Sequence, residues 1–201
     1  MKNETIPPKL QEYIEQLDTG SRYLLSFSPF FINHTSLNLI TDMVVGRKKS
    51  ILYICVGRPH IFIQKMLQNR GVGIRDIHFM DMVLYVGRKS RSTIKTAIYF
   101  NKEGEIIDLP TIYKLFKVDQ EVDELFLDDV DLIILDNISE LRTYNQDQQI
   151  SEFLDLLREV SDKSGAGQII LRFNTKPKDG IPEMCTSRGL EPLDLPNDLF
   201  Q

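Results

Sequence analysis

Short apolar runs alternate with amphipathic segments along most of this chain. The runs have the length of β-strands and lie at 22–27, 50–56, 77–81, 131–135 and 168–173. Unbroken apolar runs are typical of strands buried on both faces of a parallel sheet. Apolar residues at helical spacing lie between or before them, at 9–17, 35–45, 61–69 and 147–161. This order predicts an α/β three-layer sandwich, a mostly parallel sheet with helices on both faces.

The pattern is less regular in two places. Residues 96–100 and 105–109 flank a turn and predict a hairpin. Residues 176–201 are rich in proline and polar side chains, which predicts a partly disordered tail. We therefore predict a single domain over residues 1–175, with a helical extension at 1–20, followed by a C-terminal tail at 176–201.

Composition narrows the class of protein. The 201 residues are 42% hydrophobic and 26% charged, with a net charge of -5, as in an ordinary globular domain without a general field for nucleic acid. Two cysteines, Cys55 and Cys185, make neither a disulfide framework nor a Cys-only zinc site, and we predict that Cys55 is a buried thiol. No segment resembles a signal peptide or a membrane span, which predicts a soluble, cytoplasmic protein without membrane contact.

The most informative position is an acid at the end of a buried strand. Four apolar residues, 132–135, lead directly into Asp136. Open α/β sheets bind ligands beyond the carboxyl ends of their strands. In P-loop NTPases an acid at this place helps to hold the magnesium ion of the nucleotide.

Two segments in this order carry a family resemblance. They read GRKKSILYICVGRP at 46–59 and DLIILDNIS at 131–139. With the strand at 22–27, they resemble the RecA-like ATPase core of archaeal KaiC-like proteins, over roughly residues 20–175. The resemblance implies a RecA-like P-loop NTPase fold with an ATP and magnesium site at the ends of the strands.

The phosphate loop departs from this family's pattern. Aligned without gaps, Ser28 and Asn33 replace its two glycines and His34 replaces its lysine, while Thr35 keeps the hydroxyl that holds magnesium. Glycines let backbone N–H groups wrap the phosphates, and the lysine adds fixed charge. The Walker A motif is therefore degenerate, and we predict a vestigial nucleotide site made of these four residues and Asp136.

The position of the catalytic base also departs from the pattern. RecA-like ATPases place a glutamate after the second strand, whereas this chain has glycine, arginine and proline at 57–59. Phosphoryl transfer depends on positioning and charge. We therefore predict no catalytic residue, no metal site, no cofactor and no enzyme activity. ATP with magnesium remains the alternative cofactor.

Simpler structural roles explain the same residues. Asp136 would cap the turn after its strand, and Thr35 would begin a helix. The apolar residues Phe30, Phe31 and Ile32 would fill the vacated phosphate site as a plug. The alternative is an exposed patch for a partner.

Three hypotheses of function follow. The first is a catalytically inactive regulatory or scaffolding protein that binds a protein partner or itself. The second is a divergent ATP-binding switch in which Thr35 and Asp136 hold magnesium. The third is a nucleic-acid-associated module that uses a basic cluster with nearby aromatic residues, made of Arg88, Lys89, Arg91 and Lys95.

Overall fold

The structure, a computed structural model, describes residues 8–82, 97–99, 130–142, 145–175 and 179–196. Seven strands and six α-helices lie within these ranges. The strands are β1 Arg22–Phe27, β2 Ile51–Cys55, β3 Ile77–Asp81, β4 Ala97–Tyr99, β5 Leu132–Leu135, β6 Gly167–Phe173 and β7 Glu191–Asp194. The helices are α1 Pro8–Gln16, α2 Ile32–Thr41, α3 His60–Asn69, α4 Ile138–Leu141, α5 Asp147–Ser164 and α6 Ile181–Thr186.

The strands form one parallel sheet in the order β4-β3-β2-β5-β6-β1-β7. Successive strands along the chain are therefore often not neighbours, since β5 and β6 lie between β1 and β2. Parallel strands direct all their carboxyl ends to one edge of the sheet, and the segments that follow β1, β2 and β5 meet there. This confirms the predicted α/β sandwich.

Two hydrophobic clusters cover the two faces of the sheet. Alternate residues of β2 divide between them: Tyr53 packs with α1, α2 and α3, whereas Leu52 and Ile54 pack with α4, α5 and α6. Successive side chains of a strand point to opposite faces, so a strand with apolar residues at every position can support a helix layer on each side. The unbroken apolar runs in the sequence have this origin.

The N-terminal helix is part of the fold. Leu10 and Ile14 of α1 are buried in the same cluster as α2. Arg47, which follows a π-helical turn at Asp42–Gly46, donates through Nη2 to the carbonyl of Ile14 at 2.6 Å. It also donates through Nε to Asp42 at 2.8 Å. Carbonyls at the end of a helix lack partners within it, so Arg47 both caps α1 and attaches it to the domain.

The C-terminal segment differs from the predicted tail. Within 176–201 the structure contains α6 and the strand β7, and β7 pairs in parallel with β1, with Leu24 opposite Pro192. A buried ion pair, Arg172 Nη2 to Asp179 Oδ1 at 3.1 Å, lies at the start of this segment. The ordered domain therefore extends beyond residue 175, at least as far as the buried Leu195.

The region predicted as a hairpin is described only in part. Ala97–Tyr99 forms β4 and pairs in parallel with β3. The second predicted strand, at 105–109, lies outside the described residues. Among the helices that the structure describes, none has both the length and the apolar character needed to cross a membrane.

Candidate functional site

The acid at the end of β5 lies at the centre of a buried polar cluster. Asp136 is fully buried, and its backbone N–H donates to the carbonyl of Ile54 at 2.9 Å. Its side chain therefore lies at the carboxyl edge of the sheet, near the first turns of α2 and α3. A buried carboxylate is unstable unless it is paired and hydrogen-bonded, so its partners determine what this site can do.

The partner of Asp136 is an arginine that follows β2. Arg58 donates through Nη2 to Oδ1 of Asp136, and through Nε to Oδ2 at 3.2 Å. The same guanidinium donates to the side-chain oxygen of Asn33 at 2.7 Å and to the hydroxyl of Ser36 at 3.0 Å. The hydroxyl of Tyr53 donates to Asp136 at 2.5 Å and accepts from Arg58 at 3.0 Å. One cation therefore joins β2, β5 and the first turn of α2.

Burial and charge both affect the ionisation of this cluster. Burial raises the pKa of Tyr53 well above its usual value, and the negative charge of Asp136 raises it further. Tyr53 therefore stays a neutral phenol that can donate its proton. Burial opposes the charge of Arg58, but its interactions with Tyr53 and Asp136 outweigh this and raise the pKa of the guanidinium. The guanidinium of Arg58 therefore keeps its charge although it is largely buried.

The predicted phosphate loop has a compact helical structure. Ser28 is followed by a 3-10 turn, Pro29–Phe31, in which the N–H of Phe31 donates to the carbonyl of Ser28 at 3.0 Å. Helix α2 begins directly after this turn, three residues earlier than the sequence predicts. Proline at the first position suits such a turn, because its φ angle is already close to the helical value.

The prediction that Phe30 fills the vacated phosphate site is wrong. The side chain of Phe30 is 90% exposed, whereas Phe31 and Ile32 are partly buried, and Ile32 packs against the main core. The tip of the turn holds Phe30 away from the sheet. The space near Asp136 is occupied instead by a charged side chain, Arg58.

The other predicted site residues lie in the first turn of α2. Asn33 accepts from Arg58, and His34 is partly exposed. Thr35 is fully buried, and its hydroxyl oxygen has no hydrogen-bond partner among the described residues. Thr35 therefore lies in the first turn of the helix, one of the two places that its structural role predicts, and not at the N-cap. The structure brings Asn33 and Asp136 together through Arg58.

These residues, as arranged, do not fit a magnesium ion beside Asp136. Both carboxylate oxygens accept hydrogen bonds from Arg58, and Oδ1 accepts a further one from Tyr53. A divalent cation there would contact a positive guanidinium directly, and like charges at contact distance repel strongly in a buried site. Only the unpartnered hydroxyl of Thr35 matches what a metal site would offer.

A second buried pair lies beside this cluster and was not predicted. Nδ1 of His60 lies 2.6 Å from Oδ2 of Asp81, and the backbone N–H of His60 donates to the same oxygen at 2.9 Å. The sequence places Asp81 at the end of a predicted strand and His60 directly before a predicted helix, but their pairing depends on the order of the strands. Asp81 therefore holds the first turn of α3 against the sheet.

Other candidate sites add little chemistry. Within the described ranges, no group of three or more His, Cys, Asp or Glu side chains is arranged to hold a metal ion. An open cleft of about 450 Å³ lies at the opposite, amino edge of the sheet, lined by Thr19, Lys49 and Asp131 among others. The basic cluster of Arg88, Lys89, Arg91 and Lys95 lies outside the described residues.

Comparison with known proteins supports the fold. No protein-family model matches this chain, and no curated protein matches it. A KaiC-like protein from the hyperthermophilic archaeon Pyrococcus horikoshii OT3 is similar in structure, with a TM-score of 0.56 and 11% identity over 92% of this chain and 76% of that chain. A second protein from the same organism has a TM-score of 0.51 and 12% identity, over 94% and 88% of the two chains. The chain therefore has a RecA-like α/β fold.

Proposed function

We propose that this protein is a KaiC-like, RecA-fold protein that has lost ATP hydrolysis and has a regulatory or scaffolding role through contacts with other proteins. The observation that carries the proposal is the position of Arg58. Its guanidinium neutralises Asp136, the acid that would hold magnesium in an active relative, and it binds Asn33 at the second glycine position of the phosphate loop.

The loss of charge explains why hydrolysis would be slow. An active site of this kind stabilises phosphate charge with a lysine and a metal ion. Here His34 stands in the place of the lysine, and Arg58 stands where the base would follow β2. Each missing charge contact in such a site typically costs about 3 kcal/mol of transition-state stabilisation, or a factor of roughly a hundred in rate.

Titration of the full chain with ATP and magnesium tests this proposal. We expect no heat of binding in calorimetry, no shift in the unfolding temperature and no release of phosphate. Asp131 provides a matched control, because it is an acid at the opposite end of β5 and pairs with Lys49 at 2.9 Å. Phosphate release that is abolished by Asp136→Asn but kept by Asp131→Asn, with both variants folded, would overturn the proposal.

A second candidate function rests on the unpartnered hydroxyl of Thr35. In an ATP-binding switch this hydroxyl and Asp136 would hold magnesium once Arg58 had left the carboxylate. The switch predicts saturable ATP binding that needs magnesium and that weakens in Thr35→Val. Saturable binding without turnover would favour the switch over a protein that has no nucleotide function.

A further inference from the structure

The arginine that neutralises Asp136 has a second acid beside it. Glu140 lies in the first turn of α4, four residues after Asp136, and it is partly exposed. A Cβ added to Gly57 would lie 3.3 Å from Cγ of Glu140, so this side chain passes over the residue directly before Arg58. Neighbouring Cα atoms are about 3.8 Å apart. The carboxylate of Glu140 is therefore within reach of the long side chain of Arg58.

Glu140 forms no ion pair within the described part of the chain. Its Oε1 accepts a long hydrogen bond of 3.5 Å from the side-chain amide of Asn137, the N-cap of α4. An acid in the first turn stabilises a helix, so Glu140 also has a local structural role. This role leaves the second carboxylate oxygen, Oε2, able to accept a hydrogen bond from a cation.

The two acids differ in their exposure to water. The side chain of Asp136 is 1% exposed and that of Arg58 is 14% exposed, whereas Glu140 and Gly57 lie nearer the surface. Movement of the guanidinium from Asp136 to Glu140 would bring it towards solvent, but it would leave a buried carboxylate unpaired, which is costly. The exchange is therefore favourable only when the charge of Asp136 is neutralised in another way.

A second acid also lowers the penalty for releasing Arg58. A cation that reached Asp136 would repel the guanidinium at contact distance, so the two could not share the carboxylate. Without another partner, Arg58 would then remain as a largely buried, uncompensated charge. With Glu140 in reach, the guanidinium keeps a charge partner. Gly57 contributes by having no side chain to press on Glu140.

We propose that Arg58 has two positions, one on Asp136, as in this structure, and one on Glu140, and that neutralisation of Asp136 moves it from the first to the second. The move would give up the hydrogen bonds to Asn33 and Ser36, which join the first turn of α2 to β5. A change of charge at Asp136 is thereby passed to the start of α2. Glu140 is a positioning residue in this device. The inference goes beyond the proposed function, because it holds whether or not nucleotide binds.

Asp136→Asn provides the test, because it removes the charge of the buried acid and keeps its size. Arg58 should then depend on Glu140. In the wild-type background, Glu140→Gln should change the equilibrium constant of unfolding by no more than about threefold. In the Asp136→Asn background it should raise this constant about tenfold, because the guanidinium loses its last acid. Urea unfolding of the four proteins measures both effects.

Glu183 provides the matched control. It is an exposed acid in the first turn of another short helix, α6. Glu183→Gln removes a first-turn acid without touching the residues around Arg58, so it should have the same small effect in both backgrounds. A purely local role of Glu140 in α4 would likewise give equal effects of Glu140→Gln in the two backgrounds, and that result would overturn the proposal.

A crystal structure of the Asp136→Asn variant tests the second position directly. We expect a guanidinium nitrogen of Arg58 within about 4 Å of the carboxylate of Glu140, the usual limit of a salt bridge. A guanidinium that stays beside the side chain at position 136 would contradict the proposal. An Asp136→Asn variant that does not fold would also contradict it, since Glu140 should keep Arg58 paired. No nucleotide enters these experiments, so their failure is separable from that of the ATP titration.

Discussion

At the scale of single residues, Arg58 and Asp136 set the character of the site. The side chain of Asp136 is 1% exposed and that of Arg58 is 14% exposed, so water screens the pair poorly. Removing one member of a buried pair leaves an uncompensated charge, whereas removing both leaves none. The energetic importance of the pair is therefore best seen when the two changes are combined.

Arg58→Met and Asp136→Asn should each lower the free energy of unfolding by about 3 kcal/mol or more. Arg58→Met should lower the free energy of unfolding more, because it leaves Asp136, the more deeply buried of the two charges, without its charge partner. The double variant should lose less than the sum of the two single losses. Urea unfolding measures all three.

The control for this cycle is the pair Lys49 and Asp131, whose side chains are 33% and 38% exposed. Lys49→Met and Asp131→Asn should each cost no more than about 1 kcal/mol, as exposed pairs do. Equal losses at the two pairs would show that Arg58 and Asp136 are not a buried, mutually dependent pair.

The reactivity of the two cysteine thiols depends on their burial. Cys55 and Cys185 are free and fully buried, which confirms the prediction for Cys55. Burial raises the pKa of Cys55 well above its usual value, and it raises that of Cys185 to about 12. Since the thiolate is the reactive form, both side chains are poor nucleophiles in the folded protein.

We therefore expect no reaction of the folded protein with Ellman's reagent at pH 8 over several minutes. In denaturant, two thiols per chain should react. A thiol that reacts quickly under native conditions would contradict the burial of that side chain.

Features of the site that depend on residues close together in the sequence could be predicted, whereas contacts between distant residues could not. The sequence located Asp136 at the end of its strand because the apolar run is local. The partner Arg58 lies 78 positions away, and its role became visible only once the strand order had placed β2 beside β5. Phe30 was predicted as a plug because apolar character alone does not show which way a turn points.

At the scale of elements, one close contact fixes how β6 begins. A Cβ added to Gly167 would lie 1.9 Å from the carbonyl oxygen of Thr19. The N–H of Gly167 donates to the carbonyl of Asp131 at 3.0 Å, so the strand cannot move away without breaking the sheet. The loop before β1 therefore requires glycine at this position.

Gly167→Ala should lower the free energy of unfolding by about 3 kcal/mol, because the clash is with backbone rather than with a flexible side chain. Gly73 is the control, since a Cβ there meets nothing within 4 Å. Gly73→Ala should change stability by no more than about 0.5 kcal/mol in the same thermal or urea experiment. Similar effects at the two positions would contradict the close packing at Gly167.

The strand β7 was not predicted from the sequence, and its composition explains why. Its residues are mostly exposed, and it carries Glu191, Pro192 and Asp194. An edge strand has one open side, where charged residues and proline discourage pairing with other chains. It therefore lacks the apolar run by which the central strands were predicted. Its polar composition instead predicted a partly disordered tail.

At the scale of the whole molecule, the C-terminal segment completes the sheet and one of its cores. Ile181, Cys185 and Leu190 pack in the cluster that α5 and β6 share. Arg172 is 4% exposed and forms an ion pair with Asp179. Removal of this segment would uncover apolar surface and, at the same time, remove an acid that pairs with a buried cation.

A chain that ends at residue 175 should therefore lose cooperative thermal unfolding or aggregate. Glu191→Ala, a change at an exposed position of β7, should unfold at close to the temperature of the full chain. Circular dichroism measures the thermal unfolding of the full chain, the truncated chain and Glu191→Ala, and size-exclusion chromatography measures their aggregation. A truncated chain with an unchanged melting temperature would show that β7 and α6 contribute little.

The cation that balances Asp136 is covalently part of the chain. A bound ion stabilises a fold by mass action, so its contribution rises and falls with the concentration of that ion. A tethered guanidinium has no such dependence, because chelators cannot extract it and dilution cannot release it. The stability that this buried pair gives the fold therefore does not depend on the concentration of any free ion in the surrounding solution.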